Sequence, residues 1–193
     1  MNSLASVSAI TFGIQAFVTL FVILDPPGAI PIFLSLVAAK SPKERVKLAW
    51  QGAASSLVII VVFALFGQII LNYLHISLNA LQGAGGLLLF LISMELLTGK
   101  GSEDSATKNV NVAMVPLGTP ILAGPGAIVT TMLYVQYAHT SQAKLTLSAA
   151  IIAVHVVIGL TLMFSTKILR IIKDSGVTLV ARVAGLLVAA IAV

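Results

Sequence analysis

Leu24-Asp25-Pro26-Pro27-Gly28-Ala29-Ile30 interrupts a long apolar run. The pattern returns 98 positions later as Leu122-Ala123-Gly124-Pro125-Gly126-Ala127-Ile128, identical at five of seven positions. Proline removes a backbone donor and clashes with the preceding turn, and glycine admits non-helical dihedrals. A helix running through either stretch must break there and leave backbone groups without partners. A second match follows in the same order: Ala84-Gly85-Gly86-Leu87-Leu88 against Ala184-Gly185-Leu186-Leu187-Val188, offset by 99 or 100. Two matches at nearly one offset point to a duplicated chain.

The composition says which solvent surrounds these breaks. Of 193 residues, 59% are hydrophobic and 9% charged, and mean hydropathy is +1.09. Soluble domains carry about 25% charged residues, so the bilayer must solvate most of this chain. No charge occurs from Met1 to Leu24, Leu48 to Met94, Asn109 to Ala143 or Leu145 to Thr166. A span needs roughly 20 mainly apolar residues. The net charge of +5 is therefore assigned to loops facing anionic lipid, and no nucleic acid partner is expected. With no cysteine, disulfides and thiolate metal sites are excluded. No metal or cofactor is expected, and no basic n-region marks a cleaved signal peptide.

Six spans are predicted, in an all-α membrane protein. The first runs from about Ile10 to Ala39, broken at 25–28, and the second from Leu48 to Leu71. The third covers Ala80 to Leu97, and the fourth Val112 to Ala138, broken at 123–126. The fifth runs from Leu145 to Thr166, and the sixth starts near Val177. If every segment crosses, nine basic loop residues (Lys40, Lys43, Arg45, Lys47, Lys100, Lys108, Lys167, Arg170, Lys173) lie on one side, against Lys144 on the other. The positive-inside rule then puts both termini outside. Re-entrant hairpins at the breaks would give a poorer division, seven against three, so broken but crossing helices are preferred.

Three spans per copy, an odd number, make the copies inverted: residues 1–97 and 113–193, joined by a cytoplasmic loop at 98–112. Inverted repeats with discontinuous helices recur in secondary transporters. The offset also predicts that the sixth helix ends three or four residues early, as if truncated.

Irregular backbone at membrane depth must be buried in protein or line a wet cavity. Proline suits the first turn of a helix, so Pro27 and Pro125 are expected to open half-helices. The free N–H groups of Gly28-Ala29 and Gly126-Ala127, at the positive dipole end, suit a carboxylate. Asp25, an intramembrane carboxylate, is a candidate for a substrate amine or for a coupling proton or Na+, or else a helix cap. Its counterpart is Ala123. Thr119, Thr130 and Thr131 flank the second break, read either as supplying hydroxyls to a substrate or as bonding back to their own helix, and Gly124 belongs to it. His155, near the middle of the fifth span, is read either as a proton relay or as a neutral residue bonded to a neighbouring helix. Gln51, Ser55 and Ser56 form a polar stripe read as helix–helix glue. Arg182, one turn inside the sixth span, is read as snorkelling or contacting an anionic substrate. Glycines 83, 85 and 86 are expected to permit close helix packing.

These stretches resemble the MarC family, also called the neutral amino acid transporter family. The resemblance rests on Asp25-Pro-Pro-Gly-Ala-Ile-Pro-Ile-Phe-Leu-Ser-Leu, Ala84-Gly-Gly-Leu-Leu-Leu-Phe-Leu-Ile, Val115-Pro-Leu-Gly-Thr-Pro-Ile-Leu-Ala-Gly-Pro-Gly-Ala-Ile and Arg182-Val-Ala-Gly-Leu-Leu-Val-Ala-Ala-Ile-Ala-Val. It implies a six-span protein of the bacterial or archaeal inner membrane, with some relatives carrying small neutral amino acids. Family members often have Asn at the position of Asp25 and a basic residue at that of Gln82.

The expected function is secondary transport of a small solute, a neutral amino acid, by alternating access around the paired half-helix starts. The rivals are a channel and a non-transporting scaffold or regulator linked to drug resistance. An intramembrane enzyme lacks support: there is no His-Glu-x-x-His, no paired intramembrane carboxylate and no Gly-x-Ser-x-Gly.

Overall fold

The computed structural model describes residues 8–98 and 123–193. Among them every regular element is an α-helix: α1 (Ala9–Leu24), α2 (Ala29–Leu36), α3 (Pro42–Tyr73), α4 (Leu78–Thr98), α5 (Pro125–Tyr137), α6 (Ser141–Met163) and α7 (Ser165–Ala192). The expected loop at 98–112, the first part of the fourth span and Thr119 lie almost wholly outside the described residues.

The helix ends follow from local sequence. Ser8 caps α1 by accepting from the Thr11 N–H, and Thr140 caps α6 by accepting from that of Ala143. At α3, Ser41 and Glu44 form a reciprocal capping box with Pro42 in the first turn. Arg45 reaches back to the carbonyls of Ala38 and Lys40, at 2.8 and 3.0 Å, tying the end of the first broken segment to α3.

Three helices, within α3, α4 and α6, are long and apolar enough to cross a bilayer. A fourth is added if α7, whose arms Ser165–Ile171 and Gly176–Ala192 meet at 99°, is one span. α1, at 16 residues, is about 24 Å long, short of a core about 30 Å thick. Among the described residues, length and composition therefore give three or four spans, where six are predicted for the whole chain. The second arm, Gly176–Ala192, begins where the sixth span is expected, near Val177. Lys167 and Arg170, read as part of the connection, lie on the helical arm before the bend.

Helix α6 is the centre of the molecule. Ala143, Leu147, Ala150, Ile151, Val154, Ile158 and Leu162 are buried on it, packed against α1 on one side and α3 on the other. On α3, Val58, Val62, Leu65, Phe66 and Ile69 stay exposed, as lipid-facing side chains should. α3 and α6 run antiparallel, since Ser56 meets His155 while the Trp50 ring lies against Gly159. α4 and α7 are antiparallel as well. A Cβ on Gly86 would lie 2.6 Å from the Ala192 carbonyl oxygen, and one on Gly185 would lie 3.1 Å from that of Ser93. Gly85 is similarly close to Val129. Gly83 has nothing within 4 Å, so the packing expected of it is not found.

Candidate functional site

The first break is built around Asp25. Its N–H closes α1 by donating to the Phe21 carbonyl at 3.1 Å, and its own carbonyl accepts from the Ala29 N–H at 3.1 Å, opening α2. One residue serves both ends because its backbone is left-handed, φ 39° and ψ 65°. Aspartate tolerates that region better than most side chains. The carboxylate folds forward, Oδ1 accepting from the Gly28 N–H at 3.2 Å. Gly28 has ordinary helical dihedrals, φ −65° and ψ −26°. Glycine is needed there for room, because a Cβ would collide with the Asp25 carboxylate.

The start of α2 is therefore not open. Gly28 is held by Asp25 Oδ1, Ala29 by the Asp25 carbonyl and Ile30 by that of Pro27. The expectation that Gly28 and Ala29 offer free N–H groups to a ligand is corrected on this point: the adjacent carboxylate got there first.

The second break differs. Gly124 precedes α5 in extended geometry and offers no side-chain cap, and Pro125 occupies the first turn. The N–H groups of Ala127 and Ile128 both point to the Gly124 carbonyl, at 3.0 and 3.2 Å. That leaves Gly126 as the first donor of the helix. The residue in Asp25's place, Ala123, is apolar and 1% exposed.

The two breaks lie side by side. A Cβ on Gly126 would lie 3.6 Å from Cγ2 of Ile23, two residues before Asp25, and would also meet Leu89 and Ile92 of α4. Leu24, Ala29, Ala123 and Ala127 share one buried cluster. Asp25, at 9% exposure, is the only carboxylate among the described buried residues, and among the described residues no ion pair is made to it.

The other expected residues divide. Pro27 and Gly124 are half-buried, Pro125 is exposed and Thr130 is buried. His155 is buried between helices with both ring nitrogens engaged, Nδ1 to the Ile151 carbonyl at 2.7 Å and Nε2 to Ser56 Oγ at 3.1 Å. Arg182 is exposed on α7. Two contacts went unforeseen. Tyr134 bonds Thr19 at 3.0 Å and Tyr137 bonds Gln82, which ties the far end of α5 to α1 and α4. Tyrosines at the end of an apolar helix would have signalled an interfacial anchor, but not these partners. Thr131, already singled out beside the second break, is fully buried and its Oγ1 has no hydrogen-bond partner.

The family model for MarC family integral membrane proteins matches residues 10–193. The chain belongs to the MarC family. Among similar proteins, a UPF0056 membrane protein of Methanocaldococcus jannaschii is 36% identical over 187 residues, covering 93% of this chain and 91% of the relative. The UPF0056 membrane protein YvbG of Bacillus subtilis is 31% identical over 195 residues, with 95% and 91% covered. One of Pyrococcus abyssi is 35% identical over 182 residues, with 92% and 88% covered. No solved structure matches. The MarC assignment makes this an integral membrane protein with relatives in bacteria and archaea.

Proposed function

We propose that this MarC protein is a secondary transporter of a small zwitterionic solute, a neutral amino acid, bound where the two helix breaks meet. The observation that carries the reading is the approach of Ile23 to Gly126. It gathers two stretches of interrupted backbone, one buried carboxylate and one uncapped helix start into a single region of an apolar molecule. Irregular backbone at membrane depth is tolerated where it serves a cavity, and broken helices of this kind bind substrate near the midplane in many transporters.

The proposed architecture has six crossings in two inverted three-helix repeats, residues 1–97 and 113–193, in the cytoplasmic membrane with both termini outside. Reciprocal contacts support it. A twofold axis in the membrane plane would pair each contact i to j+99 with one from j to i+99. Gly86 with Ala192 and Ser93 with Gly185 are such a pair. Ser56 with His155 is its own counterpart, and Leu89 and Val188 share one buried cluster. The helix contacts correspond too: α2 on α6 with α5 on α3, and α2 on α7 with α5 on α4. Alternating access would come from one half rocking against the other about this axis.

Purified protein in liposomes, given a panel of labelled amino acids with imposed proton or sodium gradients, tests the reading. Saturable uptake of small neutral amino acids is expected. Non-saturating flux would make the protein a channel. No flux, with no ligand-induced thermal stabilisation, would make it a scaffold.

A further inference from the structure

We propose that the lipid-facing side of α3 holds an anionic phospholipid: Lys43 and Lys47 take its phosphate, the Trp50 indole lies at the level of its ester groups, and an acyl chain follows the apolar stripe below. Such a site is independent of what the protein carries. With 32 residues, α3 is about 48 Å long, against a hydrocarbon core about 30 Å thick. Its first turns therefore stand among headgroups. Lys40, Lys43, Arg45 and Lys47 are opposed there only by Glu44, and two of these five charges are already spent. The Arg45 guanidinium donates to the carbonyls of Ala38 and Lys40, and the Glu44 carboxylate accepts from the Ser41 N–H. Lys43 and Lys47 are exposed and make no hydrogen bond or ion pair among the described residues.

The helical repeat fixes what lies beneath the two lysines. Lys43, Lys47, Trp50, Ala54, Val58 and Leu65 are all exposed and fall within about 80° of one another round the axis. The buried residues of α3, such as Ala49, Ser56 and Gly67, lie on the opposite side. Ammonium, indole and aliphatic side chain thus follow one another down a single face, the order in which a phospholipid presents phosphate, ester and acyl chain. Lys43 and Trp50 are about 10 Å apart along the axis, a span that the long lysine stems close onto one phosphate. The indole is held against α6. A Cβ on Gly159 would lie 2.8 Å from the ring, so glycine there makes its room. The tryptophan is still 39% exposed, and its N–H has no partner among the described residues. At a membrane interface such a donor ordinarily finds an acceptor, and a lipid ester or phosphate oxygen supplies one. Two ammonium groups on one face favour a net negative headgroup over a zwitterionic one, by about fivefold for each lysine. Lys167, over the Phe164 ring at 5.6 Å, adds to the same potential, because α6 runs antiparallel to α3 and ends level with its first turns.

Trp50 is the chain's one tryptophan, so its fluorescence reads the site directly. The full chain is reconstituted in mixed vesicles of phosphatidylcholine and phosphatidylglycerol, with the acyl chains of one or the other lipid brominated. Quenching of Trp50 at equal mole fraction gives the relative affinity of the two lipids. Phosphatidylglycerol should be favoured about fivefold or more. Lys43→Gln combined with Lys47→Gln should bring the ratio close to one at a retained unfolding temperature, since both side chains are exposed. Lys144→Gln, which removes an exposed lysine at the other end of α6, should leave the ratio unchanged. High salt should lower it in the wild type, a check that needs no variant. Inorganic phosphate at matched ionic strength should displace none of the quenching lipid, because it offers nothing to the stripe below Trp50. Displacement by phosphate would mean an anion site without a lipid, and would overturn the assignment. So would a wild-type ratio near one, a ratio that the double variant keeps, or an equal loss in Lys144→Gln.

Discussion

Ser56 Oγ and His155 Nε2, 99 positions apart in the chain, lie 3.1 Å from one another at the buried contact of α3 with α6. The Ile151 carbonyl can only accept, so His155 Nδ1, 2.7 Å away, carries the proton. Nε2 then accepts from the Ser56 hydroxyl. Every polar atom of the pair is satisfied, which is what a dry interface requires. Ser56→Ala should leave Nε2 unpaired and cost about 1–3 kcal/mol, read as a lower unfolding temperature in detergent. Unchanged stability would mean that water or another group replaces the serine.

The glycines of α4 provide an internal control. Gly86→Ala drives a methyl toward the Ala192 carbonyl, which is backbone and cannot swing aside. A cost of about 1–3 kcal/mol is expected, as for other overpacked sites. Gly83→Ala meets nothing within 4 Å and should be neutral, or stabilising by up to about 1 kcal/mol through helix propensity. Thermal unfolding of the two variants side by side checks the order.

The compatibility of Gly28 with any L-residue dihedral makes another prediction. Gly28→Ala should fail because the Asp25 carboxylate occupies the space of the new methyl, not because of the backbone. Gly28→Ala should therefore destabilise the wild type but do little in an Asp25→Ala background. A double-mutant cycle on unfolding free energy should return coupling of at least about 0.5 kcal/mol. Additive effects would place the carboxylate elsewhere.

Outside the membrane, the box at the start of α3 carries a pH dependence. Hydrogen bonds from the Ser41 side chain and backbone hold the Glu44 carboxyl below its ordinary value of 4.5. A carboxyl lowered in the folded state stabilises fully above its ordinary value and loses that contribution as pH falls through the lowered one. Hydrogen-exchange protection of the Ser41 amide, which donates to Glu44 Oε2 at 2.9 Å, should fade on acidification below about pH 4.5. Glu44→Gln should remove that dependence.

Much of this was legible in the chain. Charge-free runs located α1, α3, α4 and α6, because lipid excludes charge wherever a helix crosses. Pro27 and Pro125 located the breaks, because no neighbour can restore the missing N–H. The fate of the freed groups was not legible. That Asp25 turns its carboxylate onto Gly28 depends on a left-handed backbone that Asn or Gly would also adopt. The start of the sixth span near Val177 was legible, but not that the connection carrying Lys167 and Arg170 is itself helical, since charge ends a span without ending a helix. That Thr131 Oγ1 goes without a partner was equally hidden, because a threonine in an apolar helix usually satisfies itself.

The central claim is that the two breaks meet in one substrate-binding region, and the chain's lack of native cysteine makes it directly measurable. Ile23→Cys with Gly126→Cys places a thiol on each break. The side chains crowding Gly126, Leu89 and Ile92, are flexible at their ends, so a cysteine there is accommodated. Mild oxidation in membranes should link the pair within one chain, and alanine should slow the reaction. If the pair stays unlinked under conditions that join a Leu96→Cys and Gly185→Cys pair, where a Cβ on Gly185 would lie 3.0 Å from that of Leu96, the breaks lie apart and the account is contradicted.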